Sequence, residues 1–67
     1  MLELGRYRHF KGSEYEVTAI AKHSETDEEM VIYHSLADPT TIWVRPLTMW
    51  HEIVIRDGQE YQRFTKI

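Results

Sequence analysis

The 67-residue sequence contains no cysteine, which excludes disulfide bonds and zinc sites built from thiolates. It has no apolar stretch long enough to span a membrane. The first residues lack the basic and then apolar plan of a signal peptide. An excess of basic charge is missing too: the net charge is −3, whereas a general nucleic-acid-binding protein is usually basic throughout. We therefore expect a soluble cytoplasmic domain with no membrane partner.

The charges that are present are unevenly distributed along the chain. Basic residues cluster in the first third, and acidic residues cluster just after it. The net charge describes only the total, so a local contact with a nucleic acid stays open. The two clusters are Arg6, Arg8, Lys11 and Lys22, and then Glu25, Asp27, Glu28 and Glu29.

The length of the chain allows one domain with one core. A chain of this size buries only about 60% of the surface that its unfolded form exposes, so its stability is small. Without cysteine, large aromatic side chains must fill the core, and the sequence supplies two Trp, four Tyr and two Phe. Association is the other common way to enlarge a small core, so we expect a monomer or a weak homodimer.

Alternation of apolar and polar residues predicts β-strands along most of the chain. The clearest example begins at Tyr15, where Tyr15, Val17 and Ala19 fall on one face. Asp57-Gly58 is the strongest hairpin signal and predicts a type I′ turn with two positive φ angles. The predicted strands cover residues 5–10, 15–22, 30–35, 41–45, 50–56 and 60–65.

Polar segments and prolines separate these strands. Residues 23–29 can begin a helix with Ser24 or Thr26 as its cap, but the β-branched and aromatic residues that follow favour a loop between antiparallel strands. Pro46 ends the strand before it, and residues 47–49 are predicted to form a short 3₁₀ turn. No segment shows a convincing helical period of 3.6.

Five or six short strands in one domain over residues 1–67 close best into a partly open barrel, which reduces exposed sheet edges. The predicted fold is all-β and SH3-like, with an OB-like barrel as the second choice. If Val44 lies in the core, its replacement by alanine costs about 1–3 kcal/mol. The predicted core consists of Tyr15, Val17, Ala19, Ile42, Val44, Val54 and Phe64.

Trp43 and Arg45 stand two residues apart on the predicted strand 41–45, so their side chains share a face. Together they offer an aromatic floor that stacks a base, a sugar or a peptide ring, and a guanidinium that holds an anionic group. The alternative places Trp43 in the core and Arg45 in an ion pair.

Glu52 lies among apolar residues on the strand predicted from Trp50, where a carboxylate must find a partner or become protonated. Arg45 is the natural partner because it can reach across the turn at Pro46. We favour this structural pair over a catalytic acid, since structural networks also produce such pairs.

His23, Ser24 and Glu25 combine a base, a hydroxyl and an acid. Neighbouring residues on a strand point to opposite faces, so these three do not form a catalytic relay by themselves, and capping of a loop is the commoner role. The four histidines of the chain show none of the short spacings of metal ligands. We therefore expect no metal and no cofactor.

The candidate groups are expected at one end of the barrel. The strand after the loop at 23–29 should pair antiparallel with both of its neighbours, which brings Lys22-His23 and Arg45-Pro46 to the same end. Loops at such an end can carry function on a rigid scaffold. The predicted ligand-binding residues are His23, Ser24, Glu25, Thr26, Trp43, Arg45 and Glu52.

Short motifs are distributed along nearly the whole chain, and each is weak alone but specific in combination. They are Tyr7-Arg8-His9-Phe10-Lys11-Gly12, Tyr15, Val17, Ala21, His23-Ser24-Glu25-Thr26, Glu28 or Glu29, Val31, Tyr33, Trp43-Val44-Arg45-Pro46, Met49 to Glu52, Val54 and Arg63-Phe64. In combination they resemble the bacterial domain-of-unknown-function family 1653. The sequence departs from the family at Leu36-Ala37-Asp38, where the family tends to show an aromatic residue and a glycine, and at Trp50, where it tends to show Phe.

The resemblance implies a compact β-fold, a soluble bacterial setting and no established activity. It also implies that residues 23–26, Trp43, Arg45 and Glu52 belong to the motif as a polar set that packing of the core does not require.

Three functional hypotheses remain. The first is a binding module that presents Trp43 and Arg45 to a nucleic acid, a nucleotide or a peptide. The second is a small hydrolase or transferase that uses His23, Glu25 or Glu52 for proton transfer. The third is a structural domain that contacts another protein through a sheet edge. We favour binding over catalysis, because a barrel of this length rarely builds both a pocket and a rigid shell around it.

Overall fold

The computed structural model describes residues 2–67. Seven strands and one short helix, α1, form in this part of the chain. With four residues, α1 is too short to cross a membrane, and no other helix occurs from residue 2 onward. The elements are β1 (Gly5–His9), β2 (Glu14–Lys22), β3 (Glu29–Ser35), β4 (Ile42–Pro46), α1 (Leu47–Trp50), β5 (Ile53–Arg56), β6 (Gln59–Gln62) and β7 (Phe64–Lys66).

Five of the strands form one antiparallel sheet in the order β4-β3-β2-β1-β7, and β5 and β6 form a separate hairpin. The described strands do not close into a continuous barrel. The predicted all-β, partly open fold of short antiparallel strands is confirmed, with seven strands rather than five or six.

The turns follow the residues that the sequence offers. Asp57 and Gly58 have φ angles of 53° and 77°, which confirms the type I′ turn between β5 and β6. Gly12 has a φ of 105° in the turn between β1 and β2, a region that glycine enters without a Cβ clash. Residues 23–28 form a loop rather than a helix, as predicted, and Asp27 has a φ of 64° there.

The predicted strand 50–56 is shorter than expected. Pro46, which lacks an N–H, ends β4 and precedes the single helical turn of α1, so Trp50 is helical and β5 starts only at Ile53. Trp50 and Glu52 therefore do not share a strand face, and that part of the prediction is wrong.

The predicted strand 60–65 is interrupted at Arg63. The backbone N–H of Arg63 donates to the carbonyl of Glu52 over 3.1 Å, and its carbonyl accepts from the N–H of Phe10 over 3.0 Å. The chain thus leaves the β5–β6 hairpin at Arg63 and enters the large sheet as β7, beside β1.

Aromatic rings supply most of the core, as the lack of cysteine suggests. Trp50 and Phe64 stack with their ring centroids 3.8 Å apart and their planes at 4°. Tyr7 and Tyr33 meet Trp50 edge to face at 5.4 and 5.1 Å, an arrangement that stabilises beyond the burial of area. The buried residues are Tyr7, Val17, Val31, Tyr33, Trp50 and Phe64.

The orientation of β4 corrects the predicted core. Trp43 lies opposite Tyr33 and Arg45 lies opposite Val31. Partners in a ladder share a face, so Ile42 and Val44 point away from the core and are 60% and 57% exposed. The prediction that these two residues are buried is wrong.

A bulge in β2 explains why Ala19, a third predicted core residue, is not buried either. The register between β2 and β3 shifts between Val17 and Ala19, which turns Ala19 outward and places Ile20 against the core. Of the other predicted core residues, Val17 and Phe64 are buried, whereas Tyr15 and Val54 are half-buried.

Candidate functional site

Trp43 and Arg45 share the core-facing side of β4, as their spacing predicts. Arg45 is half-buried, but the Trp43 residue is 53% exposed. Since β4 is an edge strand of the described sheet, no further strand covers the indole. Trp43 therefore faces the core side of the sheet without being enclosed by it.

The exposed Trp43 borders a cleft of about 410 Å³. Its aromatic walls are Tyr15, Tyr33 and Trp43, and the rings of Tyr15 and Tyr33 meet edge to face at 5.6 Å. Both tyrosines also contact core rings: Tyr15 is 5.7 Å from Phe64, and Tyr33 is 5.1 Å from Trp50. The core therefore holds two walls of the cleft in place, and the edge strand supplies the third.

The polar side of the cleft is formed by Ser35, Asp38 and Thr41. One Asp38 oxygen accepts hydrogen bonds from the hydroxyl of Thr40 over 2.6 Å and from its N–H over 3.3 Å, and the other accepts from the hydroxyl of Thr41 over 3.2 Å. The side-chain hydrogen bond from Thr40, followed by its backbone hydrogen bond, lowers the pKa of Asp38. Asp38 is thus a fixed carboxylate at neutral pH and the one charged residue among those that line the cleft.

A second cleft, of about 450 Å³, lies beside α1. Its lining includes Glu3, Trp50, His51 and Lys66. None of the seven predicted site residues lines it, so we do not regard it as the predicted site.

Glu52 lies between two guanidinium groups. Its Oε1 is 3.6 Å from Arg45 and 3.5 Å from Arg63. Arg45 also donates from its Nε to the carbonyl of Met49 over 3.4 Å. The predicted Arg45–Glu52 pair is present, and α1 rather than a strand brings the two residues together. Arg63 was not predicted as a partner, because nothing in the sequence marks the strand break that turns its side chain toward Glu52.

The side chains of the loop at 23–28 bond mainly to the loop itself. Nδ1 of His23 accepts from the N–H of Glu25 over 3.1 Å, and the hydroxyl of Thr26 accepts from the N–H of Glu28 over 3.2 Å. These hydrogen bonds are of the loop-capping type that was predicted from the sequence as the alternative to a catalytic role of His23, Ser24 and Glu25. All the residues of this loop are exposed.

The sheet register brings the loop and the end of β4 to the same end of the sheet. Lys22 pairs with Glu29, and Met30 pairs with Pro46. From residue 2 onward, however, no hydrogen bond or ion pair joins residues 23–26 to Trp43, Arg45 or Glu52. The seven predicted residues therefore form separate groups, and a ligand-binding role for them stays a prediction.

Five of the six residues that line the cleft were not singled out from the sequence as site residues, namely Tyr15, Tyr33, Ser35, Asp38 and Thr41. Tyr15 was expected in the core, Tyr33 was counted only within a predicted strand, and Asp38 lies between two predicted strands. Asp38 carried one available signal, because it lies in the segment that departs from the family pattern. The two tyrosines carried none, since strand alternation does not separate a core ring from a cleft wall.

His9 sits at the edge of the core, between the rings of Phe10 and Phe64, with centroid distances of 4.5 and 5.1 Å. Its Nδ1 accepts from the N–H of Lys11 over 3.2 Å. Burial lowers the pKa of His9, and the charges of Arg63, Lys11 and Arg45 lower it further. Across residues 2–67, no three His, Asp or Glu side chains lie close enough together to hold a metal ion.

The sequence model of DUF1653, described as "Protein of unknown function", matches residues 5–66. The chain belongs to the DUF1653 family. A crystal structure of a DUF1653 protein from Bordetella bronchiseptica is 32% identical, and the alignment covers 98% of this chain and 87% of that one with a TM-score of 0.87. A search of curated proteins finds no match. The resemblance seen in the sequence motifs is confirmed.

The structure assigns positions to Trp50 and Asp38, the residues at which the resemblance implied departures from the family pattern. Trp50 stacks on Phe64, so it is an aromatic residue of the core. Asp38 supplies the carboxylate of the cleft beside Trp43. The cleft of this DUF1653 chain therefore contains a charged group from the connection between β3 and β4.

Proposed function

We propose that this DUF1653 domain is a peptide-binding module and that its ligand occupies the cleft beside Trp43. The observation that carries the proposal is the 53% exposure of Trp43 on the core-facing side of an edge strand, where it borders a cleft of about 410 Å³. Ligand sites are usually preformed clefts with aromatic walls and a few fixed polar groups. Burying an exposed indole there stabilises a complex by removing apolar area from water.

Charge favours a peptide over a nucleic acid or a nucleotide. The chain has a net charge of −3, and among residues 2–67 the one charged residue that lines the cleft is acidic. A phosphate in the cleft meets the repulsion of Asp38. The guanidinium of Arg45, on the same face of β4, does not line the cleft; it lies 3.6 Å from the Glu52 carboxylate, which it shares with Arg63.

The edge strand also suits a peptide. The outer backbone groups of β4 face no other strand of the described sheet, and an extended peptide can add to such an edge by main-chain hydrogen bonds. Alternate side chains of that peptide then lie on the face of Trp43. A peptide along the five residues of β4 covers about 16 Å, which reaches from the cleft toward the end where residues 23–26 lie.

The enzyme alternative receives less support. Nδ1 of His23 already accepts a hydrogen bond from the loop backbone, and Glu52 is held by two arginines. Neither group is placed beside the cleft as a free base. In the peptide-binding proposal, Trp43 contacts the ligand, while Arg45 and Glu52 position β4.

The test is selection from a random peptide library, followed by NMR titration of the isotope-labelled domain with a selected peptide. We expect shifts at Tyr15, Tyr33 and the Trp43 indole, and at least tenfold weaker binding by Trp43→Ala, since buried tryptophans dominate such interfaces. Ile42→Ala is the matched control, because Ile42 is also on β4, is 60% exposed and faces the other way. It should change affinity less than twofold.

Equal affinity of the Trp43→Ala and wild-type domains would overturn the proposal. Oligonucleotides or nucleotides that shift the same residues while library peptides do not would favour the nucleic-acid alternative. Shifts confined to residues 23–28 would place the site in the loop instead.

A further inference from the structure

Four of the six described residues that line the Trp43 cleft present negative charge to it. Three of its six lining residues are aromatic and one is an aspartate, and none is basic. The face of an aromatic ring carries negative charge from its quadrupole, and an ionised carboxylate adds a full negative charge. The side chains of the cleft therefore favour a positive ligand group and disfavour an anionic one.

We propose that the cleft binds an alkylammonium group, namely the side chain of a lysine, unmodified or carrying one or two N-methyl groups. This inference rests on the peptide-binding role proposed above and names the side chain that the cleft selects. The ammonium lies against Trp43 and the two tyrosines, and Asp38 is its counter-ion. The methylene stem of the lysine covers the exposed part of the indole.

The hydrogen bonds of Asp38 select an ammonium over a guanidinium. A carboxylate has about four lone-pair positions, and Asp38 already accepts three hydrogen bonds from Thr40 and Thr41. About one position is left. An arginine fork is best recognised by two parallel acceptors, whereas an ammonium is a compact charge that needs only one.

The turn that carries Asp38 is arranged before any ligand arrives. Besides the bonds from Thr40 and Thr41 to Asp38, the hydroxyl of Ser35 accepts from the N–H of Ala37 over 3.1 Å. Two wall rings are held by the core through Phe64 and Trp50. A preformed site loses less conformational entropy on binding, which favours even a small ligand group.

The probes for the test are four single amino acids whose backbone ends are blocked as the α-N-acetyl amide. They are lysine, lysine dimethylated on its side-chain nitrogen (dimethyl-lysine), lysine acetylated on its side-chain nitrogen (acetyl-lysine) and arginine. Each is titrated separately into the labelled wild-type domain. We expect lysine and dimethyl-lysine to shift the Trp43 indole and the rings of Tyr15 and Tyr33. Acetyl-lysine has the same stem without the charge, so it should bind at least tenfold more weakly. Arginine should also bind more weakly than lysine.

A charge-removing variant tests the counter-ion. Asp38→Asn keeps an oxygen that accepts from Thr40, so the turn is retained while the charge is lost. We expect about fivefold weaker binding of the lysine amide, near the upper end for an exposed ion pair. Asp57→Asn is the matched control, because Asp57 is also an exposed turn aspartate but lies in the β5–β6 hairpin. It should leave the affinity unchanged.

Different failures separate the two proposals. Acetyl-lysine or arginine binding the cleft as tightly as lysine overturns the ammonium inference and leaves peptide binding intact. The same holds if library peptides depend on Trp43 but contain no lysine, or if Asp38→Asn behaves like Asp57→Asn. If library peptides bind without any dependence on Trp43, both proposals fall. The comparison of lysine with acetyl-lysine uses the wild-type domain and does not depend on the folding of any variant.

Discussion

Val31 and Val44 provide a direct test of which face of β4 meets the core. They are the same residue type on neighbouring strands, yet Val31 is 0% exposed and Val44 is 57% exposed. The residue opposite Val31 is Arg45, and Val44 lies opposite Ile32 on the outer face. Truncation of each valine to alanine should therefore have very different effects on the free energy of unfolding.

The size of the difference follows from burial. Replacing a buried valine by alanine removes two methylene equivalents, worth about 1.6 kcal/mol in transfer free energy. The cavity left at Val31 adds to this, which gives a total cost of about 2–3 kcal/mol. Val44→Ala removes groups that are already largely in water and loses a little strand propensity, so its cost should stay below about 0.5 kcal/mol.

The assay is urea unfolding followed by tryptophan fluorescence. With a slope of about 1 kcal/mol per molar urea for a chain this small, Val31→Ala should lower the midpoint by about 2–3 M and Val44→Ala by less than about 0.5 M. A Val44→Ala loss equal to that of Val31→Ala would mean that β4 faces the other way. Trp43 would then lie on the outer surface, and the cleft would lose its third wall.

Three further outcomes are expected. Glu52→Gln should lower the free energy of unfolding by about 1 kcal/mol, because two half-buried guanidinium groups lose their counter-ion, and by less in high salt. A loss in urea unfolding equal to that of the exposed control Glu60→Gln would contradict this. The pKa of His9 in the folded state is below its usual value of about 6.5. As the pH falls below about 6.5, His9 is therefore protonated in the unfolded state before it is protonated in the folded state. The contribution of His9 to stability falls over this range, down to the folded-state pKa. Urea midpoints at pH 7.5 and 5 should show a smaller drop for His9→Gln than for the wild type or the exposed control His51→Gln, and an equal drop in all three would be the contrary result. Metal analysis of protein purified without a histidine tag should find no stoichiometric zinc or nickel, whereas one equivalent lost on mutating His23 together with His9 would reverse that expectation.

The strands could be predicted from the sequence because each depends on a local pattern. The alternation after Tyr15 and the Asp57-Gly58 pair act over a few residues, and both gave the observed elements. The faces of β4 could not be assigned in this way. Ile42, Trp43 and Val44 are all apolar, so alternation allows either orientation, and the packing of Tyr33 against Trp50 decides between them.

The candidate site depends on contacts that lie further apart along the chain. The pair of Arg45 with Glu52 was predictable, because only the turn after Pro46 separates them and their charges are opposite. The cleft was not predictable, because it requires β2, β3 and the turn at Asp38 to meet at Trp43. A single turn of helix such as α1 is likewise too short to show a period.

The pairing of β7 with β1 has a consequence for the order of folding. β2, β3 and β4 are joined by short connections, so their ladders close small loops, whereas the pairing of His9 with Phe64 closes nearly the whole chain at a greater entropic cost. We expect the transition state for folding to contain the β2–β3–β4 meander and to lack β7. The kinetic φ-value, the fraction of a mutation's destabilisation that is already present in the transition state, should be high at Val31 and near zero at Phe64. Because the stacking partner of Trp50 is Phe64, the fluorescence of Trp50 should report the last event in folding.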